Sequence, residues 1–214
     1  KALVTGGPGF VGGHLIERLR ASNIEVKALV RDVNRARWLH ELGVEFIHGD
    51  IRDAVTLDRA VQGIDTVFHA AAVLQPATLA MEDYRAVNAE GTRHLIEACR
   101  RTNSIERFVY ISTVAVLGAS QDGAPLKEEN CPQPVERYGI TKWEGETIAL
   151  EAARTGFPVV VARPGWIYGP RSLDMAKLFR RIASRRFLII GAARNLQQPL
   201  WIGDLIEGLL HCAT

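Results

Sequence analysis

The sequence predicts an α/β fold built on a doubly wound parallel sheet, and three observations carry that expectation. Short apolar runs alternate with longer amphipathic stretches along most of the 214 residues, the rhythm of repeated βαβ units. Two runs, FVYI at 108–111 and VVVA at 159–162, are unbroken and rich in β-branched or aromatic residues, as strands buried on both faces are. The first run ends in a turn with five glycines between Gly6 and Gly13, after which a helical pattern begins.

The elements follow in order. Residues 2–5 form the first predicted strand, and Val11, Leu15, Ile16 and Leu19 then recur at helical spacing. Further strands are expected over 25–30, 45–48, 66–70, 107–112 and 158–163. A helical stretch over 82–102 carries Leu95, Ile96 and Cys99 on one face. Beyond Pro170 the rhythm changes to a basic amphipathic helix over 175–184, a strand over 187–190 and a helix over 203–212. Residues 1–170 therefore read as one domain, and 171–214 as part of a smaller C-terminal region. The segment QDGAPLKEENCPQP, 121–134, is the longest loop; its position before a chemically suggestive helix suits a segment that covers a site.

Bulk composition narrows the class. Hydrophobic residues make up 47% and charged residues 23%, ordinary for a soluble globular chain. A net charge of +2 implies neither a nucleic-acid nor a membrane partner. Three dispersed cysteines, Cys99, Cys131 and Cys212, lack the spacing of a disulfide framework or zinc site and suit the reducing cytoplasm. No apolar run approaches the roughly 20 residues that span a bilayer. The histidines show no ligand spacing, so no metal is expected, and His69 reads as a satisfied histidine behind a buried strand.

The glycines explain themselves as a phosphate cradle. Thr5-Gly6-Gly7-Pro8-Gly9-Phe10-Val11-Gly12 fits TGxxGxxG between a strand and a helix. Gly6 permits the turn, Gly9 lets backbone N–H groups approach a pyrophosphate, and Gly12 lets helix and strand pack closely. The diphosphate then sits on the positive end of the helix. A plain structural turn is the bland alternative, but the strand–loop–helix context favours a dinucleotide and a Rossmann-type sheet. After the second strand stands Val30-Arg31-Asp32, with Arg35 and Arg37 close behind. Arg31 can pair with a 2′-phosphate, which favours NADP over NAD, although Asp32 can still reach a ribose.

Tyr138 and Lys142 lie four residues apart, on one helix face. A phenol near pH 10 is a poor base at neutrality, and a neighbouring ammonium lowers its pKa by favouring the phenolate. Thr113, at the end of a strand, can donate to a substrate oxygen. These three residues make a proton relay with an orienting hydroxyl, suited to hydride transfer at a carbinol carbon. A surface helix with a half-buried tyrosine is the bland reading of the same spacing.

Taken together, TGGPGFVG, GDI at 49–51, FHAAA at 68–72, VNAEGT at 87–92, YISTVAVLG, YGITK and ARPGWIYGP resemble, in order, the extended short-chain dehydrogenases/reductases. The chain is similar to their NAD-dependent epimerase/dehydratase group, with dihydroflavonol-reductase-like features in VRDVNRARWL. The resemblance implies a cofactor groove formed by Gly6, Gly9, Phe10, Val11 and Gly12, by Asp50 and Ile51 at the adenine, and by Ala70, Ala71 and Ala72. It places Pro164 and Ile167 at the nicotinamide, and makes Thr113, Tyr138 and Lys142 catalytic, the last two also binding cofactor. Asn88 is expected to brace the site or to bond locally within its helix, and Asp204 to cap the final helix. Leu117 departs from the family's usual tyrosine, and members extend beyond a position like Thr214, which implies that the small C-terminal substrate lobe is present here only in part.

Three functions compete. The first is an epimerase or dehydratase acting on a nucleotide-sugar with a tightly held NAD(P). The second is an NADPH-dependent carbonyl reductase or alcohol dehydrogenase of dihydroflavonol-reductase type. The third is a non-enzymatic binder, disfavoured by the intact Thr113, Tyr138 and Lys142. A homodimer through a four-helix arrangement including the Tyr138 helix is what the resemblance implies.

Overall fold

The computed structural model describes residues 1–74, 78–120, 123–188 and 198–214. Six strands, β1 (Ala2–Thr5), β2 (Val26–Val30), β3 (Glu45–His48), β4 (Thr66–His69), β5 (Arg107–Ile111) and β6 (Val159–Ala162), form one sheet in the order β3-β2-β1-β4-β5-β6. Every pairing is parallel. All six runs anticipated from sequence are present, trimmed by at most a residue at either end. The order reverses beside β1, between β2 and β4, and such a reversal opens a crevice at the carboxyl ends of the strands.

Alternation along β1 divides the core between the two faces. Ala2 and Val4 pack with Leu15, Ile16 and Leu19 of α1 (Phe10–Ala21) and Leu39 of α2 (Val33–His40). Leu3 points the other way, into a cluster with Leu57 of α3 (Ala54–Ala60), Leu95 of α5 (Gly91–Thr102) and Ala149 of α6 (Arg137–Arg154). Period-two burial on each face is what a sheet covered by helices on both sides requires. The helical stretch expected over 82–102 is α4 (Met81–Arg85), a π-helical turn Ala86–Glu90 and α5. Such turns are rare and frequent at functional sites, and this one carries Asn88.

The C-terminal region differs from expectation in four ways. Trp166–Tyr168 (β7) pairs in parallel with Pro199–Trp201 (β8) in a separate two-stranded sheet that sequence reasoning did not anticipate. The strand expected over 187–190 is not seen at Phe187 and Leu188, which are exposed and irregular, while 189–190 lie outside the described residues. Helix α7 (Leu173–Ala183) projects Leu173, Phe179 and Ile182 outward, whereas α8 (Ile202–His211) buries Ile202, Leu205, Ile206 and Leu209 in the same core as β1 and α1. Asp204 does not cap α8, since Trp201 is the N-cap residue and Asp204 sits inside the first turn, where its charge complements the helix dipole. Among the described residues no helix is long and apolar enough to cross a membrane.

Candidate active site

The glycine turn leaves β1 at Thr5 and reverses at Gly6, whose φ of +72° is a left-handed conformation that glycine adopts without steric cost. A Cβ on Gly12 would lie 2.3 Å from the Gly6 carbonyl oxygen, so α1 can start this close to the turn only with glycine there. Gly9 precedes α1, which has neither a side-chain cap nor an acidic residue in its first turn. Its first N–H groups are therefore free of competing protein carboxylates, the condition that suits an anion. Above the turn lies a cavity of about 290 Å³ lined by Gly6, Pro8, Gly9, Arg31, Asp32, Arg35, Ile51, Ala70, Ala71 and Ala72, among others. Uncapped amides, a glycine cradle and a wall of small side chains fit a dinucleotide.

Other expected groove residues stand apart from the cavity wall. Phe10 and Val11 pack against the first core, and Gly12 lies beneath the turn. Asp50 turns its carboxylate to Arg52, accepting from Nε and Nη2 at 2.9 Å each and from the backbone amide at 2.9 Å. That guanidinium, outweighing partial burial, holds Asp50 below the usual carboxylate range. An adenine amino group must therefore share the carboxylate with Arg52. Asp32, the acidic candidate for the ribose, caps α2 by accepting from the Asn34 amide at 2.9 Å. Arg31 is exposed at the cavity rim.

The three catalytic candidates converge at the end of β5. Thr113 starts the short 3₁₀ turn Val114–Leu117, accepting from the Ala115 amide at 3.2 Å, and its hydroxyl neighbours the Tyr138 phenol. Burial pushes that phenol up to about 12, opposed by the neighbouring Thr113 hydroxyl. Lys142 does not act on it as the spacing implied. Its ammonium is almost fully buried, donates to the Ile111 carbonyl at 2.7 Å and lies 4.1 Å over the Tyr110 ring. Burial brings it down to about 7, with the Glu146 carboxylate working against that fall. The two residues share a helix face, but the ammonium has a partner on β5. Pro164 is buried and its carbonyl accepts from Val114 at 3.0 Å, fastening the turn that holds Thr113. Ile167 packs from β7 against the first core; neither residue reaches the cavity wall.

A buried hydrogen-bond chain links groove to relay. Thr5 accepts from the Ala71 amide at 3.2 Å and meets His69 Nδ1 at 2.8 Å. On the other side, His69 Nε2 lies 2.9 Å from Thr92 Oγ1, which donates to the Asn88 carbonyl at 2.9 Å. Of the two neutral tautomers only the one with hydrogen on Nε2 satisfies all four bonds, and burial, with Lys142 nearby, pushes His69 down to about 3. Asn88 both accepts from and donates to the Val73 backbone, at 2.8 and 3.0 Å, and donates to Thr141 at 3.0 Å. It thus braces the cavity wall against the turn between Tyr138 and Lys142. Sequence reasoning gave no role to Ser112, Glu146 or Arg163, which pack behind the relay; two charged residues in otherwise apolar stretches were the available signal.

Comparison with known proteins decides the lineage. A model of the NAD dependent epimerase/dehydratase family matches residues 2–214. The chain belongs to that family. Relatives of this family member include a 4-hydroxy-2-methyl-3-oxo-4-farnesyl-3,4-dihydroquinoline-1-oxide ketoreductase of Stigmatella aurantiaca, 34% identical over 100% of this chain and 64% of that protein. Another is the N-acetyl-alpha-D-glucosaminyl-diphospho-ditrans,octacis-undecaprenol 4-epimerase of Escherichia coli O157:H7, 31% identical over 96% of this chain and 60% of that protein. Among solved structures, MoeE5 in complex with UDP-glucose and NAD superposes with a TM-score of 0.85 at 30% identity, over 100% of this chain and 72% of that one. This epimerase/dehydratase family member thus spans under two thirds of the two curated relatives.

Proposed function

We propose that residues 1–170, together with α8, which packs into their core, are the NAD(P)-binding part, and the rest of 171–214 a portion of the substrate-binding part, of an epimerase/dehydratase-type enzyme. It works by hydride transfer at a hydroxyl or keto carbon of a nucleotide-sugar. The observation that carries this reading is the glycine-cradled cavity, joined through Asn88 and Thr141 to the turn of α6 that carries Tyr138 and Lys142, with Thr113 beside the phenol. When bound, the cofactor supplies the hydride acceptor and donor and, oxidised, a positive ring charge. Tyr138 moves the proton at the carbinol oxygen, Thr113 orients that oxygen, and the buried Lys142 ammonium, released from Ile111, holds the cofactor ribose. The similarity to MoeE5, bound to UDP-glucose and NAD, supports the substrate class. We also assign the protein to the cytoplasm and to a homodimer through a four-helix arrangement that includes α6, as the family resemblance implies.

A second reading, an NADPH-dependent carbonyl reductase, is favoured by Arg31 and Arg35 at the cavity and by the ketoreductase relative. Incubation of the purified protein with UDP-glucose and NAD⁺ tests the choice. Conversion without net NADH release supports the first reading, and stoichiometric NADPH consumption with a ketone supports the second. Within either reading we assign a preference for NADP over NAD to Arg31. Arg31→Asp should then raise the ratio of NAD⁺ to NADP⁺ affinity by at least about 10-fold, one charge-assisted contact. Titration calorimetry with both nucleotides measures it, and an unchanged ratio removes Arg31 from cofactor selection.

A further inference from the structure

Glu146 has no part in the proton relay, yet it occupies the next turn of α6 beyond Lys142 and is fully buried. One carboxylate oxygen accepts from Arg163 Nε at 3.0 Å and Nη2 at 2.6 Å, and the other from the Ser112 hydroxyl. The remaining guanidinium nitrogen of Arg163 donates to the Glu128 carbonyl at 2.8 Å. Each partner adjoins the relay. Ser112 immediately precedes Thr113, and Arg163 precedes Pro164, whose carbonyl holds Val114. Glu128 belongs to the loop before α6, and that loop is also tied to the Thr113 turn by the Gln133 amide on the Val116 carbonyl at 3.0 Å. A single carboxylate therefore fastens the ends of β5 and β6 to the helix that carries Tyr138 and Lys142, and its guanidinium partner extends the grip to the loop.

Buried ion pairs are poor stability devices, because desolvation cancels most of their attraction and well-packed apolar replacements often do as well. Here the pair stands where three elements must meet in register. We propose that Glu146 is a positioning residue that, gripped by Arg163 and Ser112, sets the approach of the Thr113 hydroxyl to the Tyr138 phenol. Positioning of this kind is worth a large factor in rate, since a displacement of about 1 Å at reacting groups costs about 100-fold. Ser112, Glu146 and Arg163 stand outside the cavity wall, so their loss reaches the cofactor only through Lys142, whose charge Glu146 supports.

The inference rests on the Tyr138 relay, so its test carries a control for that reading. The double variant Glu146→Leu/Arg163→Met, which removes both charges together, is compared with wild type for unfolding midpoint, NAD⁺ affinity by calorimetry, and kcat and KM with UDP-glucose. Expected are an unfolding midpoint and NAD⁺ affinity close to wild type with kcat lower by about 100-fold and KM little changed. A stable double variant that turns over as fast as wild type overturns the proposal, as does a loss confined to KM. If the double variant does not fold, Arg163→Lys keeps the charge and loses the two-pronged grip; its kcat should still fall by about 10-fold, and an unchanged kcat is equally fatal. Tyr138→Phe is the control. If that variant keeps wild-type turnover, the relay reading fails and takes this inference with it; if it is inactive while the Glu146 variants are not, only the positioning role fails.

Discussion

Tyr138 holds its proton firmly before the cofactor arrives, because burial raises its pKa to about 12 and Thr113 is the neighbour that opposes the rise. Tyr138→Phe should lower kcat by at least about 1,000-fold, in the range of a lost general acid–base group, with NAD⁺ affinity within several-fold of wild type. Steady-state kinetics beside calorimetry measures both, and normal turnover removes Tyr138 from the chemistry. At this scale residue type and spacing alone picked out Tyr138, Lys142 and Thr113, which the fold brings to the end of β5. Spacing says which side chains share a face, not which partner each will choose. Hence Lys142 on the Ile111 carbonyl, Asp50 on Arg52 and Asp32 as a helix cap all needed coordinates. His69 was readable as a satisfied groove histidine, and its two threonine partners lie 64 and 23 residues away in sequence.

Elements were read best where periodicity is long and worst where it is short. The six strands of the main sheet each have a helix or turn signal beside them, and all were legible. β7 and β8 are three residues each, too short for alternation to register. The π turn at Ala86–Glu90 has the composition of ordinary helix, so nothing local announces it. Helix α8 was anticipated, but its destination was not. A chain position beyond residue 170 suggested an outer lobe, whereas its apolar face packs against α1 and Arg18 of α1 meets Glu207 of α8 at 2.6 Å. Leu209, 1% exposed in that core, supplies the test. Leu209→Ala should cost roughly 2–5 kcal/mol of unfolding free energy, measured by urea denaturation; a cost near zero would show that α8 is not part of the nucleotide-binding core.

At the scale of the whole molecule, two buried bases make stability depend on pH. His69 has a folded pKa of about 3 against 6.5 and Lys142 about 7 against 10.5, so in both cases the unfolded chain binds a proton that the native chain refuses. Stability therefore rises with pH through 3–6.5 on account of His69 and through 7–10.5 on account of Lys142, with slopes up to about 1.4 kcal/mol per pH unit. Tyr138 has the opposite sign, its raised value making stability fall above pH 10. Denaturant unfolding of wild type should show a gain between pH 7 and 9 that Lys142→Met lacks, the variant being the more stable protein at pH 6. Equal pH profiles for the two would mean that Lys142 stays charged in the native state.

Fold class and the glycine turn of the groove were accessible from sequence because they follow from periodicity and from one residue pattern. Joining that groove to the relay depends on contacts such as Asn88 with Thr141, which no local pattern encodes. The most direct test is a crystal structure of the protein grown with NAD⁺. The diphosphate should lie on the first-turn amides of Phe10 to Gly12, with the reactive ring carbon positioned so that a carbinol placed about 3–3.5 Å away also touches the Tyr138 hydroxyl. A dinucleotide bound elsewhere, or a Tyr138 hydroxyl turned away from the ring, would contradict the account.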